Sequence, residues 1–413
     1  MKVKISHMKH FVELYEKDET ERTIGYYKMN NISLNGRNTY YPNVLLYQME
    51  SESLMSPYNE MVMSLGKKSF YGDDYEIDDI DSKSKNEIIE IVDPVFFFIY
   101  NFDNYYHFLY DTLPYLFTYL ELKKTIPKLK ILINYPNETN TFYKFNLEFL
   151  TKIINIDDLI IDSNNVYKEM YVSTSLTHGG YSNNPPRKEI FQIYDMLKNN
   201  IDYSNIDEHF KNLEQIYISR RSWINNDSSN IGTDYTSRRK MMNEDLLVES
   251  LKENGFIEIF AENLNTDEKI FLFSNAKTII GAIGGGMANL LFSNSTTKTI
   301  VIETPYFLEI NYRFKYSMEH TMIEYMRDVT TYTNSKIPLY CRVKIIETEM
   351  VGEISDYDVN NDIYLINLSD GVAGFNNKSS FKNKWFLSNE FELLDNGLNS
   401  PYTININSLL EII

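Results

Sequence analysis

The chain has 413 residues, 43% of them hydrophobic and 24% charged, and its formal net charge is −18 at pH 7. This length exceeds the size at which single hydrophobic cores stop growing, so two domains are expected. The acidic balance argues against nucleic acids and anionic membrane surfaces as partners, because both attract basic faces.

A single cysteine, Cys341, excludes an intramolecular disulfide and a cysteine-based metal site. Residues 1–22 are rich in charge and lack the continuous apolar stretch of a signal peptide. No run approaches the ~20 apolar residues of a membrane span. These features predict a soluble protein of the cytoplasm, or of a host cytoplasm if the gene is viral.

The first part of the chain changes from a weak pattern to an α/β pattern. Residues 1–85 are weakly patterned and end in an acidic, loop-like stretch. From residue 91 onwards, strands and helices alternate. The predicted strands are 95–99, 130–135, 159–162 and 166–173, and the predicted helices are 103–122, 139–153 and one that Pro185 and Pro186 open and that runs to 199. The polar residues 199–212 are typical of an inter-domain connection.

A second alternation begins at residue 215. Asn243 is predicted to cap a helix that carries Glu244 in its first turn and stops at Gly255, and another helix starts at Thr266. The predicted strands are 215–219, 257–260, 277–280 and 299–302. The pattern indicates an α/β fold with two Rossmann-like domains, 1–205 and 206–335, that face a cleft. Residues 336–413 read as a β-rich C-terminal extension.

The most specific local pattern is a glycine bend, residues 281–286, between a strand and a short helix. Glycines let the backbone approach a ligand, and the N–H groups at Gly284, Gly285, Gly286 and Met287 would meet an anion such as a diphosphate. Glu303, at the tip of the next strand, is suited to hold a ribose. The pattern is not G-x-G-x-x-G, because Asn289 stands in place of the third glycine. An NAD- or S-adenosylmethionine-dependent enzyme remains an alternative.

A second pattern is a run of polar residues on one predicted helix. At roughly 100° per residue, Asn104, His107 and Asp111 fall within about 60° of one another on an α-helix. Imidazole suits general-base work near neutral pH, and a neighbouring carboxylate can orient it. A packing or capping role for the His–Asp pair is the alternative interpretation.

A third pattern is basic. Arg220 and Arg221 follow a strand, and Arg239 precedes Asn243 and Glu244. Guanidinium groups bind phosphate in a bidentate way, although ion pairs with the abundant carboxylates are the alternative. Trp223, in the following loop, can stack a base or lie at a rim.

Short acidic triplets such as the one formed by Asp356 and Asp358 can hold a divalent metal beside a nucleotide sugar, but the chain has 58 acidic residues, so chance explains them. No metal ligand and no required cofactor are therefore predicted.

Four segments together resemble glycosyltransferase family 61, which includes O-linked N-acetylglucosamine transferases of proteins and xylan-decorating transferases. Asn104, His107, Asp111 and residues 113–114 look like the family's N-x-x-H…D-x-L-P helix. Three further segments match in order: the strand 216–220 that ends in arginine, the R-x-x-x-N-E segment 239–244, and the loop 281–292, which resembles G-x-H-G-A-G-L-T-N-x-x-F and is followed by residues 303–305. Ile283 stands where the family usually has histidine.

The resemblance implies a GT-B-like fold and inverting transfer of a sugar from a nucleotide sugar to a hydroxyl of a glycan or protein acceptor. The donor that the family commonly uses is a UDP sugar. The resemblance also implies that His107, held by Asp111, is the general base. The implied donor-binding residues are Asn104, Arg220, Arg239, Asn243, Glu244, Gly284, Gly285, Gly286, Met287, Asn289 and Glu303. Because arginines and a helix N-terminus can neutralise the leaving diphosphate, no metal is required. Ile283 keeps open a non-catalytic relative that binds a nucleotide sugar or glycan, and the oligomeric state is not predicted.

Overall fold

The structure is a computed structural model, and it describes most of the chain. The described residues are 11–14, 24–35, 45–48, 53–58, 61–64, 90–98, 105–133, 143–161, 165–177, 186–221, 239–304, 323–332, 337, 339–369, 382–396 and 401–413. Asn104, Trp223 and the acidic stretch near residue 79 lie outside this set. None of the described helices is long and apolar enough to cross a membrane.

The first unit is built on a mixed ten-stranded sheet. Its strands are β1 (Phe11–Glu13), β2 (Gly25–Asn35), β3 (Leu45–Gln48), β4 (Ser53–Tyr58), β5 (Met61–Ser64), β6 (Glu90–Ile91), β7 (Val95–Phe97), β8 (Lys130–Ile133), β9 (Leu159–Ile161) and β10 (Val166–Ser173). The order is β5-β4-β3-β2-β10-β7-β8-β9, with β1 on β2 and β6 on β10. β10, β7, β8 and β9 run parallel, as the α/β pattern predicts. The antiparallel half from β1 to β5 lies in the weakly patterned residues and was not predicted.

The helices of the first unit differ from the prediction in two places. They are α1 (Tyr105–His107), α2 (Tyr115–Thr125), α3 (Tyr143–Thr151) and α4 (Phe191–Asn199), with a π-helix at Phe108–Thr112 and 3₁₀ turns at Ile156–Asp158, Lys188–Ile190, Tyr203–Asn205 and Glu208–Phe210. The predicted single helix 103–122 is thus interrupted, with a wide i→i−5 bond of 2.8 Å from the Leu113 amide to the Phe108 carbonyl. Pro186 precedes the helical turn at Lys188 instead of opening it.

The second unit is a five-stranded parallel sheet. It contains β11 (Gln215–Ile218), β12 (Ile257–Ile259), β13 (Thr278–Ala282), β14 (Lys298–Ile302) and β15 (Ile323–Met326), in the order β12-β11-β13-β14-β15. The connecting helices are α5 (Glu244–Glu253) and α6 (Thr266–Asn275), with 3₁₀ helices at Ala261–Asn263 and Gly285–Phe292. α5 packs on one face, and α6 with the helix Gly285–Phe292 packs on the other. The prediction of an α/β unit with a parallel sheet is confirmed, and β15 is an addition to it.

The β-rich part is an insertion, not a simple extension. β16 (Val329–Thr331) pairs with β22 (Tyr402–Ile404). Between them lies an antiparallel sheet made of β17 (Cys341–Ile345), β18 (Val351–Asp358), β19 (Ile363–Ser369), β20 (Lys382–Leu387) and β21 (Phe391–Asn396). This sheet has its own apolar cluster, which includes the buried Cys341. The chain then returns to the second unit through β22 and α7 (Ile406–Leu410).

The first two units share one apolar core. Phe292, at the end of the 3₁₀ helix, stacks on Phe149 of α3 with ring centroids 5.9 Å apart and meets the ring of Tyr194 edge-on. Asp267 of α6 pairs with Lys152 at 2.5 Å and accepts hydrogen bonds from the amide of Asp202 and the side chain of Asn205. The residues that were predicted as a plain connection therefore help to lock the two units together.

Candidate functional site

The carboxyl edge of the second sheet brings distant predicted residues together. Within this unit the strand order is 2-1-3-4-5, so the winding reverses between β11 and β13. Open parallel sheets bind ligands in the crevice at such a switch point. Arg220 follows β11 and the glycine bend follows β13, which is the direct neighbour of β11. The two predicted phosphate-binding features therefore lie side by side.

Arg220 lies across the glycine bend. Its Nη1 donates a 2.7 Å hydrogen bond to the carbonyl oxygen of Ile283. A Cβ atom at Gly284 would overlap with the same guanidinium group, so only glycine leaves room for the arginine. The φ angle of Gly284 is 169°, an extended value that any residue adopts, so space and not backbone strain explains this glycine.

The next residues of the bend present an open stretch of main chain. Gly285 is exposed, and no heavy atom lies within 4 Å of the position that its Cβ would take. The Met287 amide donates to the Gly284 carbonyl at 3.1 Å, so it serves the helix, contrary to the expectation that it faces a ligand. Gly285 and Gly286 precede this first helical bond, and such amides are the ones that a helix N-terminus offers to an anion.

Glu244 supports the strand end that carries Arg220. Its Oε1 accepts hydrogen bonds from the Tyr217 hydroxyl at 2.8 Å, the Ser219 hydroxyl at 3.2 Å and the Arg220 amide at 2.8 Å. The side chain is 2% exposed, and its Oε2 has no hydrogen-bond partner among the described residues. Burial raises the pKa of this carboxyl, while the bonds from Arg220 and Tyr217 lower it.

The two adjacent arginines have different roles. Arg221 forms a bidentate pair with Glu258, at 2.6 and 2.7 Å, and a further 2.6 Å bond with Asp245. The ion-pair interpretation therefore holds for Arg221, whose guanidinium is turned away from the bend towards carboxylates. The residue pattern alone did not distinguish it from Arg220, which only the family resemblance singled out, because the difference depends on side chains of α5 and β12.

The segment that precedes α5 is held by the C-terminal residues. Arg239 has a φ of 54°, which is uncommon for a residue with a side chain and adds strain at this point. Asn243 occupies the N-cap position, but it makes no capping bond. Instead, the side-chain Nδ2 of Asn243 donates to the Ile404 carbonyl at 2.8 Å, and its Oδ1 accepts from the Ile404 amide at 3.1 Å. The prediction that the Asn243 side chain caps α5 is thus wrong, because both of its polar atoms are hydrogen-bonded to β22.

Two other predicted donor residues are buried and paired. The Asn289 side chain accepts a 2.5 Å bond from the Tyr105 hydroxyl and donates to the Gly286 carbonyl at 2.9 Å. It therefore ties the bend to α1 instead of facing a ligand. Glu303, at the end of β14, is almost fully buried and pairs with Nε of Arg327 at 3.0 Å. Arg327, which follows the unpredicted β15, has no signal in the sequence that links it to Glu303.

The predicted catalytic helix is described in part. Asn104 lies outside the described residues, and for His107 only the backbone is described, at the end of α1. Asp111 is 1% exposed and belongs to the π-helix, where its charge acts on the hydroxyl of Tyr194. The α-helical angle that placed residues 104, 107 and 111 on one face does not apply across this π-helix. Short π-helical turns are frequent at functional sites.

Metal ligands are not grouped in the described part of the chain, where no three His, Cys, Asp or Glu side chains could hold an ion together. Asp356 and Asp358 lie in β18. Asp358 accepts a 2.9 Å bond from the Asn360 amide and so stabilises the turn that follows. The expectation that no metal is required stays a prediction.

The fold and this edge define an α/β protein whose five-stranded parallel sheet carries a glycine bend and an arginine at its switch point. Residues 105–301 match the family model described as Glycosyltransferase 61, so this part of the chain is similar to that family. This similarity indicates glycosyltransferase activity, with a sugar donor and an acceptor. No protein with a curated description matches the chain. The matched region contains α1, Arg220, Arg239 and the glycine bend, and it ends before Glu303 and β22.

Proposed function

We propose that the protein is an inverting glycosyltransferase that moves a sugar from a UDP sugar to a hydroxyl of a glycan or protein acceptor. The observation that carries the proposal is the contact between Arg220 and the glycine bend at the switch point of the second sheet. In a chain with a net charge of −18, an arginine held beside an exposed glycine at a helix N-terminus is a local site for an anion.

The diphosphate of the donor would lie over Gly285 and Gly286. The open space at Gly285 lets a phosphate approach the main chain, and the guanidinium groups of Arg220 and Arg239 compensate the charge that develops as the sugar leaves. Glu303, two strands from β11, would hold the ribose. Glu244 contributes by fixing the backbone of Arg220.

His107 would remove the proton from the acceptor hydroxyl as its oxygen attacks the anomeric carbon. This role is supported by the location of His107 immediately before the π-helix and by the burial of Asp111 within that turn. A buried carboxylate near an imidazole favours the protonated imidazole that forms during the attack.

We further propose a GT-B-like arrangement, with residues 1–205 on the acceptor side and residues 206–335 on the donor side. It is supported by the two sheet-based units that meet through α1, α4 and α6. The strand order 2-1-3-4-5 in the second unit also differs from the order 3-2-1-4-5 of dinucleotide-dependent enzymes, which weighs against NAD as the ligand.

The test is a binding and transfer assay in EDTA. UDP, but not NAD or S-adenosylmethionine, is expected to raise the melting temperature. Wild-type protein is expected to hydrolyse or transfer UDP sugars without added metal. His107→Ala should abolish turnover while UDP still binds, and Arg239→Ala should weaken UDP binding. Stabilisation by NAD instead of UDP, or full activity in both variants, would refute the proposal. UDP binding without any turnover would indicate a non-catalytic relative.

A further inference from the structure

The C-terminal segment 401–413 is fastened to the candidate donor site by main-chain hydrogen bonds. The Tyr402 amide donates to the Lys240 carbonyl at 3.0 Å, and the Met242 amide donates to the Tyr402 carbonyl at 2.8 Å. Next to this bridge, Asn243 holds both main-chain groups of Ile404. Tyr402 therefore has a fixed place beside residues 240–242, directly after Arg239.

The side chain of Tyr402 is buried without a hydrogen-bond partner for its hydroxyl in the described part of the chain. The residue is 0% exposed and packs in the apolar cluster with Tyr217 and Met241. Burial raises the pKa of its hydroxyl, Arg220 and Arg239 lower it, and Glu244 raises it, so all three charges act on this one group. A buried hydroxyl that lacks a hydrogen-bond partner lowers the stability of the folded protein. Its presence at position 402 therefore indicates a role other than stability.

A second polar atom in the same place is also unsatisfied. Glu244 uses Oε1 for all three of its hydrogen bonds, and its buried Oε2 has no hydrogen-bond partner among the described residues. Tyr217 connects the two groups, because its hydroxyl donates to Glu244 and its ring belongs to the cluster that contains Tyr402. Tyr402 and Glu244 thus lie next to the segments that carry the two arginines, because Glu244 bonds the Arg220 amide and Tyr402 pairs with Lys240, which follows Arg239.

We propose that Tyr402 is a positioning residue of the donor site, whose hydroxyl, together with Glu244, orients the guanidinium groups of Arg220 and Arg239 towards a bound diphosphate. The inference rests on the proposed function. It goes beyond the region that matches the family, since Tyr402 lies about a hundred residues past its end at 301. The last thirteen residues of the described chain, 401–413, are then part of the binding site.

The test compares Tyr402→Phe with wild type. The variant keeps the packed ring and loses only the hydroxyl. Without ligand its melting temperature is expected to be equal or higher, because an unpartnered buried group is removed. Its dissociation constants for UDP and for inorganic pyrophosphate, measured by calorimetry in EDTA, are expected to rise about tenfold.

A matched control and a double-variant cycle separate positioning from stability. Tyr119→Phe removes a buried hydroxyl that bonds Asp158 at 3.2 Å in the first unit, so it should lower the melting temperature and leave UDP affinity unchanged. In an Arg239→Ala background, Tyr402→Phe should weaken binding much less than in wild type, because it acts through the arginines.

Each result has a distinct meaning. A dissociation constant within about twofold of wild type for Tyr402→Phe, or an equal loss in the Arg239→Ala background, overturns the role of Tyr402. Wild-type binding of pyrophosphate but not UDP overturns the assigned donor, while the pyrophosphate measurement still decides the role of Tyr402. Wild-type protein that binds neither probe overturns both.

Discussion

At the scale of single residues, a substitution at Gly285 can test ligand binding without affecting folding. A methyl group at this position has open space, so Gly285→Ala is expected to leave the melting temperature unchanged. If a phosphate approaches the main chain there, the same methyl group blocks it, and UDP affinity should fall by about tenfold or more, measured by calorimetry. Unchanged UDP affinity in this variant would show that the anion does not lie over the bend.

Gly284→Ala is the contrasting variant. A Cβ at this position collides with the guanidinium of Arg220, which must then move away from the Ile283 carbonyl. Both the melting temperature and UDP affinity should fall. The pair of variants therefore distinguishes a glycine that makes room for a side chain of the protein from a glycine that makes room for a ligand.

Glu244 gives a pH-dependent prediction for stability. Its pKa is raised above 4.5, chiefly by burial, so the folded state binds the proton more tightly than the unfolded state. Its contribution to stability is therefore fully present below pH 4.5 and is lost as pH rises through the raised pKa. Glu244→Gln stays neutral and keeps an oxygen for Tyr217. The free energy of unfolding of this variant, relative to that of wild type, should therefore increase as the pH rises above 4.5.

Urea unfolding at several pH values measures this difference. Glu249, exposed on the same helix, is the control: Glu249→Gln should differ from wild type by a nearly constant amount across the range. A constant difference for Glu244→Gln would mean that the folded protein does not hold the proton.

At the scale of elements, the sequence was most informative where the signals are local. The period of apolar residues and the glycines located β13, the bend and α6, and the structure adds a capping box of Asn265 and Glu268 at the start of α6. What could not be predicted depends on distant partners. Asn243 bonds Ile404, 161 positions away, and Asn289 bonds Tyr105, 184 positions away. No sequence pattern within α5 or the glycine bend predicts either of these two hydrogen bonds.

The N-terminus of α6 is the element that joins the two units, and Asp267 is its centre. The carboxylate meets Lys152, the amide of Asp202 and the side chain of Asn205, all in a largely buried setting. Asp267→Ala removes the acceptor that these donors share and the partner of the Lys152 charge, so the free energy of unfolding should fall by about 3–5 kcal/mol. The exposed pair of Lys124 and Glu121 serves as control, and Lys124→Ala should change stability by less than about 1 kcal/mol.

Denaturant unfolding checks both variants. A small effect of Asp267→Ala would mean that the aromatic contacts around Phe292, and not this polar centre, hold the units together. A loss of activity without a loss of stability would instead assign Asp267 to the site.

At the scale of the whole molecule, the β-rich part reads as an insertion into the second unit. β16 and β22 pair with each other, and the Tyr332 amide donates to the Pro401 carbonyl at 3.1 Å, so the chain leaves and returns at one place. The inserted sheet packs around its own cluster, separate from the other two. The sequence predicted its β content, but it did not predict the return, because a strand as short as β22 is defined by distant partners, here β16 and Met241.

This topology predicts that the inserted sheet can be removed. Replacing residues 333–400 with a short Gly/Ser linker between Tyr332 and Pro401 should give a folded protein, because insertions with close ends are separable from their host. Its UDP affinity should stay within about twofold of wild type, since Tyr402 and Asn243 keep their contacts. Truncation after Tyr332 is the matched control. It removes β22 along with Tyr402, so UDP binding should be lost, and an excised variant that fails in the same way would place the inserted sheet within the donor site.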